Sequence, residues 1–194
     1  MDSLILKIIF LVFFVLTGII RKPYQREIKE NTIIDNRKTP LENGLLAFVL
    51  LGMFVLPLIY IVTPLFNFAN YFLPIWANVL GILMFAIALY LFWRSHHDLG
   101  KNWSPTLQVR KDHTLITNGI YRSIRHPMYT SLWLWAMAQA LLLTNWIAGL
   151  SGIITFGFLY FLRVGNEEKM MLEQFGEQYQ AYRQRTKRLV PFIF

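Results

Sequence analysis

Five blocks of apolar residues, at 4–20, 45–62, 76–93, 128–143 and 146–162, alternate with polar connections along this chain. Each block is 16 to 18 residues long, near the lower limit for a helix that crosses about 30 Å of hydrocarbon. Apolar residues come in continuous runs and not at core periodicity, so each block reads as a transmembrane segment. A backbone inside lipid must satisfy its own hydrogen bonds, so the segments are expected to be helices. Lys7 sits early enough in the first block to snorkel to the interface. Trp76, Trp93, Trp133, Trp135 and Trp146 fall near block ends, where interfacial aromatics are favoured. Pro57 is expected to kink the second helix. Asn78 and Gln139 read as hydrogen-bond partners between helices. Thr144 and Asn145 alone separate the last two blocks, which predicts a tight helical hairpin.

The polar stretches differ from one another. Residues 98–118 read as a loop with a short extended piece around Gln108 and Val109. Ser104-Pro105 argues against helix there, and Thr117-Asn118-Gly119 signals a turn. Beyond the fifth block, Met171, Phe175, Tyr179 and Tyr182 recur at spacings of four, four and three, the stripe of one helix. Gly176 weakens the middle of that helix without forbidding it. For Phe175 and Tyr182 the stripe is read as packing against the membrane domain.

Composition supports the membrane reading. The chain is 55% hydrophobic with a mean hydropathy of +0.41, and 15% of its residues are charged, against about 25% in soluble domains. It has no cysteine, which excludes disulfides, thiolate metal sites and cysteine nucleophiles. Asp2, the single Lys7 and the lack of an A-x-A-like cleavage site make the first block a retained span rather than a signal peptide. The expectation is an all-α integral membrane protein of about five transmembrane helices, with a single domain over 1–194. Residues 1–97 hold the N-terminal helices; 98–194 hold a second region, with the hairpin at 128–162 and a C-terminal helix.

Charge adds orientation. Apart from Lys7, the 19 Lys and Arg residues fall in three clusters, at 21–38, 94–125 and 163–188, while the connections 63–75 and 144–145 contain none. With five spans the three clusters share one side, which the positive-inside rule makes cytoplasmic. The net charge of +8 is thereby a matter of topology, and no nucleic-acid partner is expected.

Two groups of residues carry candidate chemistry. Arg163 and Glu167 stand at i and i+4, so a helix continuing from the fifth block sets them on one face at the membrane boundary. Arg before Glu is the less favourable order for helix stabilisation, which tilts the reading beyond a simple ion pair. Glu168 points about 100° away, toward a separate partner. The second group is "GIYRSIRHPMYTS", residues 119–131. Pro127 suits a first helical turn, and His126 and Tyr129 lie where free backbone N–H groups can receive an anion or a polar head. Arg122 reads as an anchor for lipid phosphates; Arg125 is open between lipid and ligand. His96, His97, His113 and His126 lack metal-site spacing, so no metal is expected. No glycine-rich nucleotide motif is present, so no Rossmann fold is expected.

The order of these motifs resembles a known family. "HTLITNGIYRSIRHPMY", a hydrophobic hairpin, then "EEKMMLEQFGEQYQAYRQRTKRLVPFIF" is similar to isoprenylcysteine carboxyl methyltransferases, and more broadly to membrane and phospholipid methyltransferases. The resemblance covers residues 113–194. It implies an S-adenosylmethionine-dependent enzyme, a small prokaryotic member with its site on the cytoplasmic side of the cell membrane, producing S-adenosylhomocysteine. Carried over by motif, the cofactor residues are Gln108, His113, Thr114, Leu115, Ile116, Tyr121, His126, Pro127, Met128 and Tyr129, with Glu168 assisting. Arg163 and Glu167 match the catalytic pair. The implied acceptor is a prenylated cysteine carboxylate or a similar lipophilic group reached from the bilayer. Competing readings are a lipid amine N-methyltransferase, an NADPH-dependent sterol-type reductase and a non-catalytic lipid-binding protein. Nothing in the sequence speaks to oligomeric state.

Overall fold

The structure, a computed structural model, describes residues 2–29, 33–36, 39–104, 106, 108–110 and 114–191. Its elements run α1 (Ser3–Lys29), β1 (Ile33–Asn36), α2 (Pro40–Leu50), a π-helical turn (Leu51–Val55), α3 (Leu56–Val62), α4 (Ile75–Leu99), β2 (Gln108–Arg110), α5 (Pro127–Leu143) and α6 (Ser151–Arg185). Short 3₁₀ turns lie at Asn67–Ala69, Gly100–Asn102 and Gly119–Arg122.

Three stretches are long and apolar enough to cross a membrane: Ser3–Gln25, Pro40–Val62 and Ile75–Asn102. Their outward faces are as greasy as their inward ones. On α4, Phe85, Ala88 and Phe92 are buried while Leu83, Ile87 and Trp93 are exposed. A helix that is apolar all round, with one side uncovered by protein, has lipid as its solvent. The protein is therefore an integral membrane protein. The fourth and fifth blocks become α5, which is 17 residues long, and the first half of α6.

Helices α4 and α5 pack closely. A Cβ at Gly81 would stand 2.8 Å from the Leu141 Cβ, so glycine is what permits the approach. Asn78 Nδ2 donates to the Leu141 carbonyl at 2.9 Å, in the last turn of α5 where carbonyls lack helical donors. Gln139 acts between helices as expected, and Pro57 explains why. The Leu56 N–H bonds back five residues to Leu51 O, and proline has no N–H to offer. The Gly52 carbonyl is left without a helical donor, and Gln139 Nε2 (3.0 Å) and Ser151 Oγ (2.6 Å) take it.

Three features differ from expectation. Residues 146–150 form a turn before α6 begins at Ser151. Asn145 imposes it: its Oδ1 accepts from the N–H groups of Ile147 and Ala148, while its Nδ2 donates to Phe66 O. The C-terminal helix is broken at Gly176, whose φ of 52° and ψ of −126° lie outside helical space, a geometry glycine adopts without steric cost. The fold is not wholly α: the extended piece expected around Gln108 and Val109 is a strand, Gln108–Arg110, antiparallel to β1.

The connections sort to the two ends. The two that lack Lys and Arg meet through an Asn70–Asn145 bridge, with Trp146 N–H on Ala69 O. At the opposite end β1 and β2 join the first two basic connections, and Ile124 pairs in parallel with Lys187 of the third basic cluster.

Candidate active site

The basic end of the bundle is organised by a few anchors. Asp98, at the end of α4, accepts from the Ile120 N–H at 2.8 Å and pairs with Arg94 at 3.0 Å. That holds the Gly119–Arg122 turn against α4. Asn102 Oδ1 accepts from Thr114 N–H at 3.0 Å, and its Nδ2 donates to Thr114 Oγ1 at 3.3 Å. The returning chain is fixed there. From the second half of α6, the Tyr182 hydroxyl donates to Tyr121 O at 2.7 Å. Tyr182, read as packing against the membrane domain, is instead buried against the 119–124 connection, and Phe175 is half-buried.

These anchors frame an open cleft. Gln108, Thr114, Leu115 and Ile116 form one wall; Tyr121, His126, Met128 and Tyr129 form a second; Arg163 and Glu167 line the inner end. Met170, Met171, Tyr179 and Tyr182 complete it from α6. Burial holds the Tyr121, Tyr179 and Tyr182 phenols above their ordinary range, so they enter the site as neutral groups. Pro127 and Glu168 are not among the lining residues. His113 lies outside the described residues.

Pro127 instead starts α5, with His126 at its N-cap. Glu168, 4% exposed, receives Arg188 Nη2 at 2.7 Å, Arg125 Nη2 at 3.1 Å and His126 Nε2 at 3.3 Å. Burial pushes its carboxyl up. Hydrogen bonds from His126 and Arg188, with the charges of His126 and Arg125, outweigh that and hold it well below the usual carboxylate range. Glu168 thus binds the cations that position His126. Arg125, open in the sequence, also donates to the carbonyls of Arg183 and Thr186, and it lines the cleft as well. Arg122 is exposed. The segment after α6 lies along this network, with Arg125 N–H on Lys187 O (2.7 Å), His126 N–H on Arg188 O (3.0 Å) and Thr130 Oγ1 on Leu189 O (2.8 Å).

Arg163 is 8% exposed. Its Nε is 3.8 Å from Glu167 Oε2, so the i, i+4 pair forms, and its Nη1 is 3.5 Å from Glu42 Oε1. The Tyr129 hydroxyl donates to Glu167 Oε2. Glu42 is a partner that sequence reasoning missed. The signal was Thr39-Pro40-Leu41-Glu42 ahead of an apolar run, the signature of a capped helix start; Thr39 does cap α2, accepting from the Glu42 N–H at 3.1 Å. Asn102 and Arg188 were missed as well.

A second cavity lies among α1, α2, α4, α5 and α6. Its lining is mainly apolar, including Leu46, Val49, Phe54, Leu132, Phe156 and Leu159. Trp103, Ser104, Met128, Tyr129 and Arg163 line both cavities. One wall therefore separates a cleft with polar groups from a hydrocarbon chamber, and a guanidinium stands in it.

Residues 65–173 match the family model described as the isoprenylcysteine carboxyl methyltransferase (ICMT) family. The chain is 32% identical over 135 residues to the human protein-S-isoprenylcysteine O-methyltransferase, covering 66% of this chain and 48% of the human one. It is 27% identical over 120 residues to the Arabidopsis thaliana protein-S-isoprenylcysteine O-methyltransferase B, covering 61% of each. The chain spans about half the length of most of the curated relatives it matches. A solved structure of the eukaryotic intramembrane Ras methyltransferase ICMT aligns with a TM-score of 0.48 at 23% identity, over 82% of this chain and 55% of that one.

Proposed function

The chain belongs to the isoprenylcysteine carboxyl methyltransferase family, and on that premise we propose that it is an S-adenosylmethionine-dependent membrane enzyme methylating the carboxylate of a prenylated cysteine or a similar lipidic acceptor. The observation that carries this reading is the shared wall. A water-soluble donor and a lipid-soluble acceptor need separate chambers that touch at one place, and the two cavities touch at Met128, Tyr129 and Arg163.

The cleft residues suit the cofactor. Tyr121, Tyr179, Met170 and Met171 offer aromatic and thioether surface for a purine, and the Glu167 carboxylate suits a cationic sulfonium. Gln108, Thr114, Leu115, Ile116, His126, Met128 and Tyr129 complete the proposed binding set; Pro127 and Glu168, off the lining, act through His126, and His113 joins the set by its motif alone. When bound, S-adenosylmethionine supplies an already activated methyl group. A carboxylate nucleophile then needs no general base, and the protein's work is alignment and exclusion of water. Arg163 grips the acceptor carboxylate with its planar fork. Glu167 and Glu42 hold that guanidinium in place, and Tyr129 fixes Glu167. The apolar chamber keeps the acceptor's tail in hydrocarbon.

In this reading α5 and the first half of α6 are the fourth and fifth of five spans, and 98–194 is the catalytic region. The basic end, with the site, faces the cytoplasm of a prokaryotic cell; the clustering of Lys and Arg at that end supports the orientation. A lipid amine acceptor is the competing reading, favoured by two carboxylates, Glu42 and Glu167, flanking Arg163. The test is transfer of a radiolabelled methyl group to a prenylcysteine and, separately, to phosphatidylethanolamine, with calorimetric titration of S-adenosylhomocysteine. Labelling of the prenylcysteine alone is expected. Labelling of the phospholipid alone, or no binding of S-adenosylhomocysteine, overturns it.

A further inference from the structure

The tail beyond α6 is fastened by its backbone. The carbonyls of Lys187, Arg188 and Leu189 receive Arg125 N–H, His126 N–H and Thr130 Oγ1. None of these bonds uses the Arg188 side chain, which stands outside the linings of both cavities and is 35% exposed. That side chain makes a directional contact of its own. Arg188 Nε reaches Glu168 Oε1 at 3.1 Å and Nη2 reaches Oε2 at 2.7 Å, a fork across both oxygens of one carboxylate. Arg125, by contrast, sets its Nε and Nη2 on Oε1, each at 3.1 Å.

A fork fixes the plane of the carboxylate, and that plane matters to a third neighbour. His126 Nε2 lies 3.3 Å from the same Oε1. The Glu168 carboxyl, held well below the usual range, is ionised and only accepts, so His126 Nε2 carries a proton. The other ring nitrogen, Nδ1, stands 3.7 Å from Glu167 Oε1, beyond hydrogen-bond length. The ring stacks on Tyr129, with centroids 5.3 Å apart and planes 20° from parallel, and the Tyr129 hydroxyl donates to Glu167. Without the Arg188 fork, the Glu168 carboxylate is free to turn and give both oxygens to Arg125. Oε1 then leaves His126, and the imidazole proton is free to move to the side that faces Glu167.

Resting on the proposed methyltransferase activity, we infer that Arg188 is a positioning residue of the cleft. Acting through Glu168, it fixes the His126 ring, and with it Tyr129 and Glu167 in the wall between the two cavities. The backbone of the tail docks the segment; the guanidinium aligns the site.

The test compares the full-length wild type with Arg188→Ala and Arg188→Lys in detergent, each labelled with ¹⁵N-histidine. The His126 signals are assigned by their loss in His126→Gln. The wild type is expected to show the ring proton at Nε2, and Arg188→Ala a proton shared between Nε2 and Nδ1. S-adenosylhomocysteine binding, measured by calorimetry, should weaken about tenfold in Arg188→Ala, the scale of a lost charge-assisted contact. Millimolar guanidinium should restore both the spectrum and the affinity. Arg188→Lys should recover neither in full, since an ammonium lacks the planar fork. An unchanged His126 spectrum in Arg188→Ala overturns the inference, as does a changed spectrum with unchanged affinity. Failure of guanidinium to rescue also overturns it, because the loss is then one of folding. If Arg188→Ala has no folded melting transition, Arg188→Lys carries the same comparison against the wild type. A wild type that neither binds S-adenosylhomocysteine nor transfers methyl sinks the proposed activity, and the ring spectra alone then decide the link from Arg188 to His126.

Discussion

Arg163 Nη1 stands 3.5 Å from Glu42 Oε1, joining α6 to the first turn of α2 beside the wall between the two cavities. Both side chains are buried, at 8% and 4% exposed. Removing one partner of a buried pair costs far more than the pair contributes, because the other charge stays desolvated. Glu42→Gln keeps the shape and removes the charge. With Glu167 still present, kcat/KM for the lipidic acceptor is expected to fall about 10- to 100-fold, roughly 1.4 to 2.8 kcal/mol of transition-state stabilisation. S-adenosylhomocysteine binding, measured by calorimetry, should change less than threefold.

Arg163→Ala is expected to abolish detectable transfer, a loss on the order of 10³-fold for a bidentate charge-assisted contact at the reacting group, while cofactor binding largely survives. Arg163→Lys should recover little, since a lysine lacks the planar fork. Radiolabel transfer and calorimetry on the same preparations separate the two effects. Equal loss of both would end the division of labour between Arg163 and the cleft.

Glu168 makes stability depend on pH with a definite sign. Its carboxyl is held well below its ordinary value of 4.5 in the folded protein, so its contribution is complete above about pH 4.5 and is lost as the pH falls below that toward the depressed value. Thermal unfolding in detergent between pH 3 and 7 should show the wild type losing melting temperature below pH 4.5. Glu168→Gln, less stable at pH 7 because Arg125 and Arg188 lose their shared partner, should lose less over the same interval. Parallel curves would exclude Glu168 as the origin.

Gly52 and Pro57 make a further case. Gln139→Leu removes one of the two donors on the Gly52 carbonyl and is expected to destabilise by about 1 kcal/mol, the scale of a single interhelical hydrogen bond in a membrane protein. Pro57→Ala supplies an N–H to the same helical turn. The double variant should lose less than the sum of the singles, read from a thermal double-mutant cycle. Strict additivity would mean that the proline does not create the need for Gln139.

The parts that were legible in the sequence are those governed by continuous or local patterns. Apolar runs announced the helices, the distribution of Lys and Arg announced which connections share an end, and Asn78 and Gln139 were recognisable because polar side chains in a span need partners. The Arg163–Glu167 pair followed from helical spacing alone. Most of the proposed cleft residues came through motif order, and the structure gathers them on one cavity. What sequence could not supply was pairing across distance. Glu42 looked like part of a helix start because its cap is local, while its carboxylate answers to α6. Arg125 was undecidable because its partners, Glu168 and two carbonyls near Thr186, arrive from elsewhere in the chain. The delayed start of α6 depends on both ends of the Asn145 amide at once, and no periodicity records that. Gly176 was visible as a weakness, but a glycine that tolerates a helix and one that breaks it are written with the same letter.

The pairing of residues 124–126 with 187–189 has a consequence for how the protein is made. Synthesis runs from the N-terminus, so α5 and the His126 region are laid down some sixty residues before Arg188 is available. Until that late segment tucks in, the Arg125 and His126 amides and the Glu168 carboxylate lack partners they have in the finished fold. The spans can be threaded into lipid in order, but the basic end, with the proposed site, has its full set of bonds only once the tail lies against residues 124–126.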